Sequence, residues 1–490
     1  MLSDLTCIRS DVAAKDASRP LPLCVDLDGT LTPSDTLLEG LLGMLGSPAV
    51  FGAVRSLLAG GKAGLKRFVA GAVPLDASLL PYWEPLLVYL RAQRVAGRRI
   101  VLVTAADVSV ARRVADHLGL FDEVIASDGR VNLRGAAKAE ALVARFGRKG
   151  FCYAANDASD LRVWAEAGAA ILVNAPPRVA AAARRVCRVE AEFPRPSGAI
   201  RGLVRALRPH QWSKNVLVFI PLFTAHVLDS AGAWLAAVTT FAAFCATASA
   251  IYLVNDLTDL DADRRHHRKR SRPFASGAVP LTLGIGMAAV LLLAGVLLAW
   301  MGGALPVVML YAMLSLGYSL RLKELPLVDI FMLASLYTVR IFAGAVAIGH
   351  WLSFWLLGFS AFLFLSLALV KRVEELRAAA ERGKARLARR GYMPSDAVSL
   401  QSFGVASSFA AALVLALFVQ AEATGQRYAS PGLLWTTVPL ILFWQCRIWL
   451  SAARGYMHDD PIVYAARDWV SWLVATATLL VLVVSKSFGG

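Results

Sequence analysis

At 490 residues, 57% hydrophobic and with mean hydropathy +0.56, the chain is too long for one ordinary domain and too apolar for a wholly soluble protein. Its net charge is +16, and beyond residue 200 the basic excess is 26 Lys/Arg against 15 Asp/Glu, placed in short loops between apolar runs. That placement is expected of membrane orientation and argues against a nucleic-acid partner.

The first twenty residues lack an apolar core segment, so no signal peptide is read there and the first domain is expected in the cytoplasm. The six cysteines (Cys7, Cys24, Cys152, Cys187, Cys245, Cys446) show no CxxC and no framework spacing, and read as reduced thiols. Leu23-Cys24-Val25 is a short apolar strand that runs into Asp26-Leu27-Asp28-Gly29-Thr30-Leu31. A carboxylate at the end of a strand, a second two residues on and a glycine turn suit phosphoryl transfer. Asp26 would attack phosphorus, Asp28 would serve as acid and base, and Mg²⁺ would offset the charge. The DxDGTL string resembles the first motif of the haloacid-dehalogenase (HAD) superfamily. The resemblance implies that Thr104, at the end of the strand Arg99–Thr104, binds a phosphate oxygen and that Lys138 is the charge-balancing lysine. It also implies that Phe151–Trp164 is the last acidic motif, with Asn156, Asp157 and Asp160 as metal ligands beside Asp26 and Asp28. The family usually has Gly-Asp where this chain has Ala155-Asn156, so one metal carboxylate is an amide here. Residues 32 to about 97 carry helix-like apolar stripes and read as a small helical cap. The expected fold of residues 1–195 is α/β, a Rossmann-type parallel sheet with crossover helices.

Residues 196–215 read as a linker with a basic amphipathic stretch, Ile200 to Arg208, suited to a membrane surface, followed by Arg208-Pro209-His210-Gln211-Trp212-Ser213-Lys214-Asn215. From 216 to 490 the apolar runs suitable for spans lie near 216–230, 234–254, 281–300, 303–320, 327–348, 352–370, 400–421, 432–450 and 468–486. About nine transmembrane helices are therefore expected, in an all-α polytopic bundle with its two ends on opposite sides. Lys and Arg crowd alternate loops, with Arg427 the exception. The positive-inside rule then puts the first domain, the loop after 254, the loop at 321–323 and residues 371–390 in the cytoplasm.

The second run leads into Tyr252–Gly277, YLVNDLTDLDADRRHHRKRSRPFASG, which sets four aspartates in eight residues and then a basic block. If the helix continues, Asn255, Asp256, Asp259 and Asp263 share a face, and such a cluster is costly unless a cation neutralises it. Oxygen ligands of this kind suit Mg²⁺ bridging to a substrate phosphate. NDxxDxxxD followed by KRxRPxxSG resembles the first motif of the UbiA-type membrane prenyltransferase superfamily, from roughly Arg201 to the C-terminus. RPxQWxKN is similar to the branch that holds decaprenyl-phosphate phosphoribosyltransferases. The loop Tyr318–Asp329 has Tyr318, Arg321 and Lys323 with a lone Asp329, where prenyl-diphosphate users carry two or more aspartates. One diphosphate–Mg²⁺ group plus a separate phosphate fits that loop better than a second metal cluster.

Arg340, inside an apolar run, is either functional or a paired structural group, and Lys371 at a span end is placed for acceptor phosphate. His266-His267, set among arginines, reads as phosphate-contacting or neutral. The resemblance implies transfer of 5-phosphoribosyl from phosphoribosyl pyrophosphate (PRPP) to polyprenyl phosphate, a step toward cell-wall arabinan precursors. Asn255, Asp256, Asp259 and Asp263 would hold the metal. Lys214, Asn215, Lys269, Arg270, Arg272, Tyr318, Arg321, Lys323, Asp329 and Lys371 would bind substrate. The HAD domain would remove the 5-phosphate, and the expected home is a bacterial inner membrane. Two other readings stand beside it: prenyl transfer to an aromatic or lipid acceptor, and a lipid-binding scaffold with an inactive HAD domain. Oligomeric state is not legible in the sequence.

Overall fold

The fold comes from a computed structural model that describes residues 20–45, 47–195, 198–351, 353–381, 391–421, 428–457 and 461–487. The expectations for residues 1–19, for Arg427 and for residues 382–390 of the charged loop fall outside the described residues. Contacts divide the chain into two compact units. One runs to Ala206 and takes in Val254–Gly286, and the other comprises Leu207–Leu253 and the chain from Met287 onward. The loop with the acidic and basic motifs thus clusters with the N-terminal domain, not with the membrane helices to which the sequence assigned it.

The first unit is built on six parallel strands: β1 (Leu23–Val25), β2 (Ile100–Asp107), β3 (Glu123–Ser127), β4 (Cys152–Ala155), β5 (Ala169–Val173) and β6 (Val189–Phe193), ordered β3-β2-β1-β4-β5-β6. Alternation sorts the side chains. Leu23, Val25, Ile100, Leu102, Ala154 and Ile171 pack into one core, and Cys24, Val101, Val103, Tyr153, Ala170 and Leu172 into another with Trp164. A sheet buried on both faces needs such continuous apolar strands. Between β1 and β2 lie α1 (Thr36–Gly43) and α2 (Ala49–Ala72), which pack on each other where the cap was expected, and α3 (Glu84–Val95), whose Leu86, Leu87 and Leu90 join the sheet core. The crossovers after β2 are α4 (Val108–Leu118), α5 (Ala136–Phe146), α6 (Leu161–Glu166) and α7 (Pro177–Val186). Strand order reverses at β1, between β2 and β4. In parallel sheets that is where a crevice opens beyond the strands' carboxyl ends. The short α8 (Ala199–Leu207) follows, with Ile200 and Val204 exposed as an interfacial helix requires.

The second unit opens differently from expectation. The first apolar run, near 216–230, is no long α-helix. Pro209–Phe219 is a 3₁₀ segment, followed by the five-residue α9 (Ile220–Thr224), and His226 has positive φ. Six helices are long and apolar enough to cross a membrane, among them α10 (Ala231–Thr258) and α12 (Leu281–Met301). Between those two lies the six-residue α11 (Leu260–Arg265). α13 (Leu305–Leu320) has 16 residues, about 24 Å at helical rise and short for a ~30 Å hydrocarbon core. α14 (Val328–Ala347), α15 (Phe354–Ala380) and α16 (Asp396–Gln420) are full-length, and α17 (Thr437–Ala453) reaches that length with the preceding 3₁₀ turn. α18 (Pro461–Arg467) and α19 (Trp469–Ser487) meet at 85°. Among the described residues this makes six spans, or seven with the bent pair, where nine helices were expected. Pro221, inside the first apolar run, cannot donate the backbone hydrogen bond that a continuous helix would need there.

The core of this unit lies where Ile330, Ala334, Tyr337 and Ile341 of α14 meet Phe364, Leu367, Ala368 and Val373 of α15 and Ile448, Trp449 and Ala452 of α17. The Trp449 indole donates to Ser366 Oγ (3.0 Å) and Ser408 Oγ (3.1 Å), an interhelical bond of the kind lipid-embedded helices use.

Candidate active sites

At the crevice of the first unit, β1 ends at Asp26, whose amide donates to Ala154 O on β4 (3.0 Å). Lys138 of α5, 3% exposed, donates to Asp26 Oδ1 (2.9 Å) and to the Tyr153 hydroxyl (2.8 Å). That hydroxyl donates in turn to Asp160 Oδ1 (3.1 Å), and Lys138 lies 3.8 Å from the same oxygen. One lysine therefore balances the carboxylates of two motifs 134 residues apart, as the sequence implied. Asp28 accepts the Thr36 amide (2.9 Å), and burial, then repulsion from Asp35 and Asp26, pushes its carboxyl up to about 7. Asp160 is raised to about 6, by burial and then by Asp26. A proton held on Asp28 near neutrality is what a general acid needs.

Asn156 stands against Gly29, whose φ is +77°. A Cβ there would lie 2.2 Å from Asn156 Nδ2, so the motif glycine is required by both conformation and space. Thr30 Oγ1 donates to Asn156 Oδ1 (3.3 Å). Asp157, expected as a metal ligand, accepts the Ala158 amide and pairs with Arg134 at 3.3 Å, a half-exposed cap that starts a 3₁₀ turn. Thr104 is buried and accepts the Ala106 amide (3.0 Å), so it shapes the end of β2.

Lys66, on the cap helix α2, was not singled out in the sequence. It donates to Ala105 O (2.5 Å) and Asn132 Oδ1 (2.8 Å), and burial lowers its pKa while Asp28 and Asp35 pull the other way. Nothing in the spacing of α2 distinguishes it from the other basic residues there.

The acidic motif of this unit does not sit on one uninterrupted helix. α10 ends at Thr258, Asp259 is non-helical, and α11 begins at Leu260. The Asp263 amide still donates to Asp259 O (2.8 Å), so Asp256 and Asp263 stay on one side. Both are 2% exposed, and both accept from one atom, Arg272 Nη1, at 3.1 and 2.7 Å. Lys269 lies 3.9 Å from Asp263. Asn255 and Asp259 are half-buried, and Asp261 and Arg270 are exposed. No three His, Cys, Asp or Glu among the described residues are closed up as a metal-ligand group. The donor set nevertheless fits Mg²⁺. It consists of oxygens only, and two buried carboxylates already converge on one cation, which is the Arg272 guanidinium here. His266 Nδ1 accepts the Arg268 amide (3.2 Å), a local turn cap.

In the second unit, Asn215 is buried and its Oδ1 accepts from Arg340 Nε (2.8 Å). Arg340 also donates to Leu336 O and to the Tyr311 hydroxyl (3.2 Å), and lies over the rings of Tyr311 (4.8 Å), Phe244 (5.8 Å) and Tyr337 (5.8 Å). Lys214 Nζ lies 5.7 Å from the Tyr337 ring centroid. Asn215 of the RPxQWxKN string thus joins Tyr311, Leu336 and three aromatic rings in surrounding an intramembrane arginine, which is the paired arrangement of Arg340. Asp329, read from sequence as substrate-binding, is fully buried, ion-paired with Arg372, and accepts the Tyr392 hydroxyl (2.5 Å). It is the counter-ion of a buried guanidinium. Tyr318 ends α13 half-buried, Arg321 is exposed, Lys323 is half-buried in a 3₁₀ turn and Lys371 is half-buried on α15.

Comparison with known proteins agrees with the motif placement. The description of the UbiA prenyltransferase family matches residues 217–460. A decaprenyl-phosphate phosphoribosyltransferase of Mycobacterium tuberculosis is 33% identical over 307 residues, covering 60% of this chain and 97% of that protein. This chain belongs to the UbiA prenyltransferase family. Within it, the chain falls in the decaprenyl-phosphate phosphoribosyltransferase-like branch, joined to an N-terminal α/β domain built on a parallel sheet. The protein y4nM of Sinorhizobium fredii is 39% identical over 468 residues, 93% of this chain and 89% of that one. The likeness therefore extends through both domains of this UbiA-family transferase. A UbiA homologue from Archaeoglobus fulgidus, solved with GPP and Mg²⁺, aligns over 59% of this chain and all of that chain, at 15% identity and TM-score 0.45.

Proposed function

We propose that this UbiA-family transferase moves the 5-phosphoribosyl group of PRPP onto a polyprenyl phosphate, and that its HAD-like domain then removes the 5-phosphate. The observation that carries the first half is the convergence of buried Asp256 and Asp263 on a single cation at the start of a basic loop. Asn255, Asp256, Asp259 and Asp263 would hold Mg²⁺, which when bound neutralises the leaving diphosphate. Lys269, Arg270 and Arg272 follow on the same loop and suit its phosphate oxygens. Arg272 would exchange the carboxylates for phosphate as substrate arrives, since guanidinium forks fit both. In the second unit Tyr318, Arg321, Lys323 and Lys371 are the donors suited to acceptor phosphate, while Lys214 and Asn215 act through Arg340. The Mycobacterium relative's name, decaprenyl-phosphate phosphoribosyltransferase, supports the choice of acceptor and of the group transferred.

For the second half, Asp26 lies between Lys138 and the end of β4, poised as nucleophile, and Asp28 holds the proton a leaving ribose oxygen needs. Asp160, Asp26 and the Asn156 amide oxygen would hold the second Mg²⁺, as oxygen donors suited to it. The basic loops are placed on the cytoplasmic face of a bacterial inner membrane by the positive-inside rule. Radiolabelled PRPP and polyprenyl phosphate, supplied with Mg²⁺ to the detergent-solubilised chain, test both halves. Label should enter lipid, Asp256→Ala should abolish it, and Asp26→Ala should leave a lipid that keeps its 5-phosphate. No transfer of label, with consumption of a prenyl diphosphate and an aromatic acceptor instead, would overturn the donor assignment. Binding of polyprenyl phosphate without metal and without turnover of either donor would favour a scaffold.

A further inference from the structure

The HAD-like domain touches the acidic-motif loop through a buried ion pair that no role in either reaction requires. Arg264 of α11, the residue after Asp263, sends Nη1 to Glu39 Oε2 (2.8 Å) and Nη2 to Glu39 Oε1 (2.5 Å), and both side chains are 5% exposed. Its Nε donates to Ala275 O (3.1 Å) within the same loop. Glu39 lies on α1 and also accepts from the Ser34 hydroxyl. The Ser34 carbonyl accepts the Gly29 amide (3.3 Å), and Thr36, at the head of α1, donates to Asp28. An unbroken set of bonds therefore runs from the phosphatase acid through α1 to α11 and Asp263. The Gly277 that closes KRxRPxxSG adds a second fastening. At φ +73°, a Cβ on it would lie 2.4 Å from Pro33 Cγ and 3.3 Å from Pro81 Cγ.

We infer that Glu39 and Arg264 are positioning residues for the diphosphate–metal loop. The phosphatase domain sets the orientation of α11, and through it the direction in which Asp263 and Asp259 face. A bidentate, desolvated pair fixes both distance and angle, which an exposed pair such as Arg265–Asp76 (3.3 Å) does not. The transferase site is then completed by a domain that takes no part in its chemistry. This rests on the metal-site reading of Asp256, Asp259 and Asp263.

The test uses the full chain in detergent. In an Asp26→Ala, Asp160→Ala background, which removes both carboxylates proposed for the phosphatase metal, Mn²⁺ binding is titrated by paramagnetic resonance, and Mg²⁺ dependence of lipid labelling is measured alongside. Glu39→Gln should weaken Mn²⁺ binding and raise the half-maximal Mg²⁺ concentration by roughly tenfold, as loss of a supporting partner does. Asp76→Asn should change neither. The reversed pair Glu39→Arg with Arg264→Glu should restore part of the loss. Should Glu39→Gln fail to fold, judged by gel filtration, Glu39→Asp keeps the charge and withdraws it by one methylene, and should show the same weakening. Wild-type metal affinity in both Glu39 variants, or a lower rate with an unmoved Mg²⁺ midpoint, overturns the inference. If wild-type protein labels no lipid, the donor reading fails while the Mn²⁺ titration still decides this one.

Discussion

Asp329 separates a catalytic from a structural reading. Its carboxylate and the Arg372 guanidinium are each 0% exposed and ion-paired, and Tyr392 adds a hydrogen bond of 2.5 Å. Asp329→Ala strands a guanidinium whose other carboxylate partner, Glu375, is 32% exposed and one turn away. Removing one partner of a buried pair costs about 3–5 kcal/mol, because the surviving charge keeps its desolvation penalty without its attraction. The melting temperature in detergent should fall on the order of 10 °C. Replacing both, Asp329→Leu with Arg372→Met, should recover most of that fall, since a packed apolar pair of similar volume is often no less stable. Transfer measured well below the melting point, per folded molecule, should keep its half-saturating PRPP concentration in both variants. The reasoning is refuted if Asp329→Asn melts like wild type yet loses transfer, because the carboxylate would then be acting on substrate or metal.

Three other outcomes can be checked. Because the Asp28 carboxyl is raised to about 7, its acid form prevails below that pH, so kcat/KM for p-nitrophenyl phosphate should fall tenfold per unit as pH rises past 7. Asp28→Asn should leave a low, flat profile. Asn156→Asp would give the phosphatase metal a further carboxylate, and half-maximal hydrolysis should need about tenfold less Mg²⁺. An unmoved Mg²⁺ midpoint would place residue 156 outside the coordination sphere. Finally, Arg340→Leu should strand Asn215 and the Tyr311 hydroxyl and lower stability by about 2–4 kcal/mol, read as a melting shift.

The parallel sheet was legible because its strands are short apolar runs, the first of them leading straight into Asp26 and its motif. The acidic motif was legible because helical periodicity survives the break at Asp259 closely enough to keep Asp256 and Asp263 together. Other features depend on distances the sequence does not carry. Asn215 and Asp329 look like ligands beside phosphate-binding motifs, yet each is spent on a buried arginine 125 and 43 residues further along. Glu39 did leave a trace, a lone acid in the apolar helix TLLEGLLG, but its partner lies 225 residues away. The first apolar run misled because hydropathy does not register a 3₁₀ segment.

Arg340 also bears on how the membrane part is made. A guanidinium at the middle of an isolated span costs about 2.5–3.5 kcal/mol when the span partitions into lipid. Every group that cushions it is synthesised earlier: Asn215, Phe244, Tyr311, Leu336 and Tyr337 all precede it in the chain. As α14 leaves the ribosome, its socket has already been delivered, and the helix can enter against neighbours instead of bare lipid. The order of residues along this chain therefore serves biogenesis as well as fold. A circular permutant that placed α14 ahead of α10 and α13 would meet the insertion penalty before it had the means to offset it.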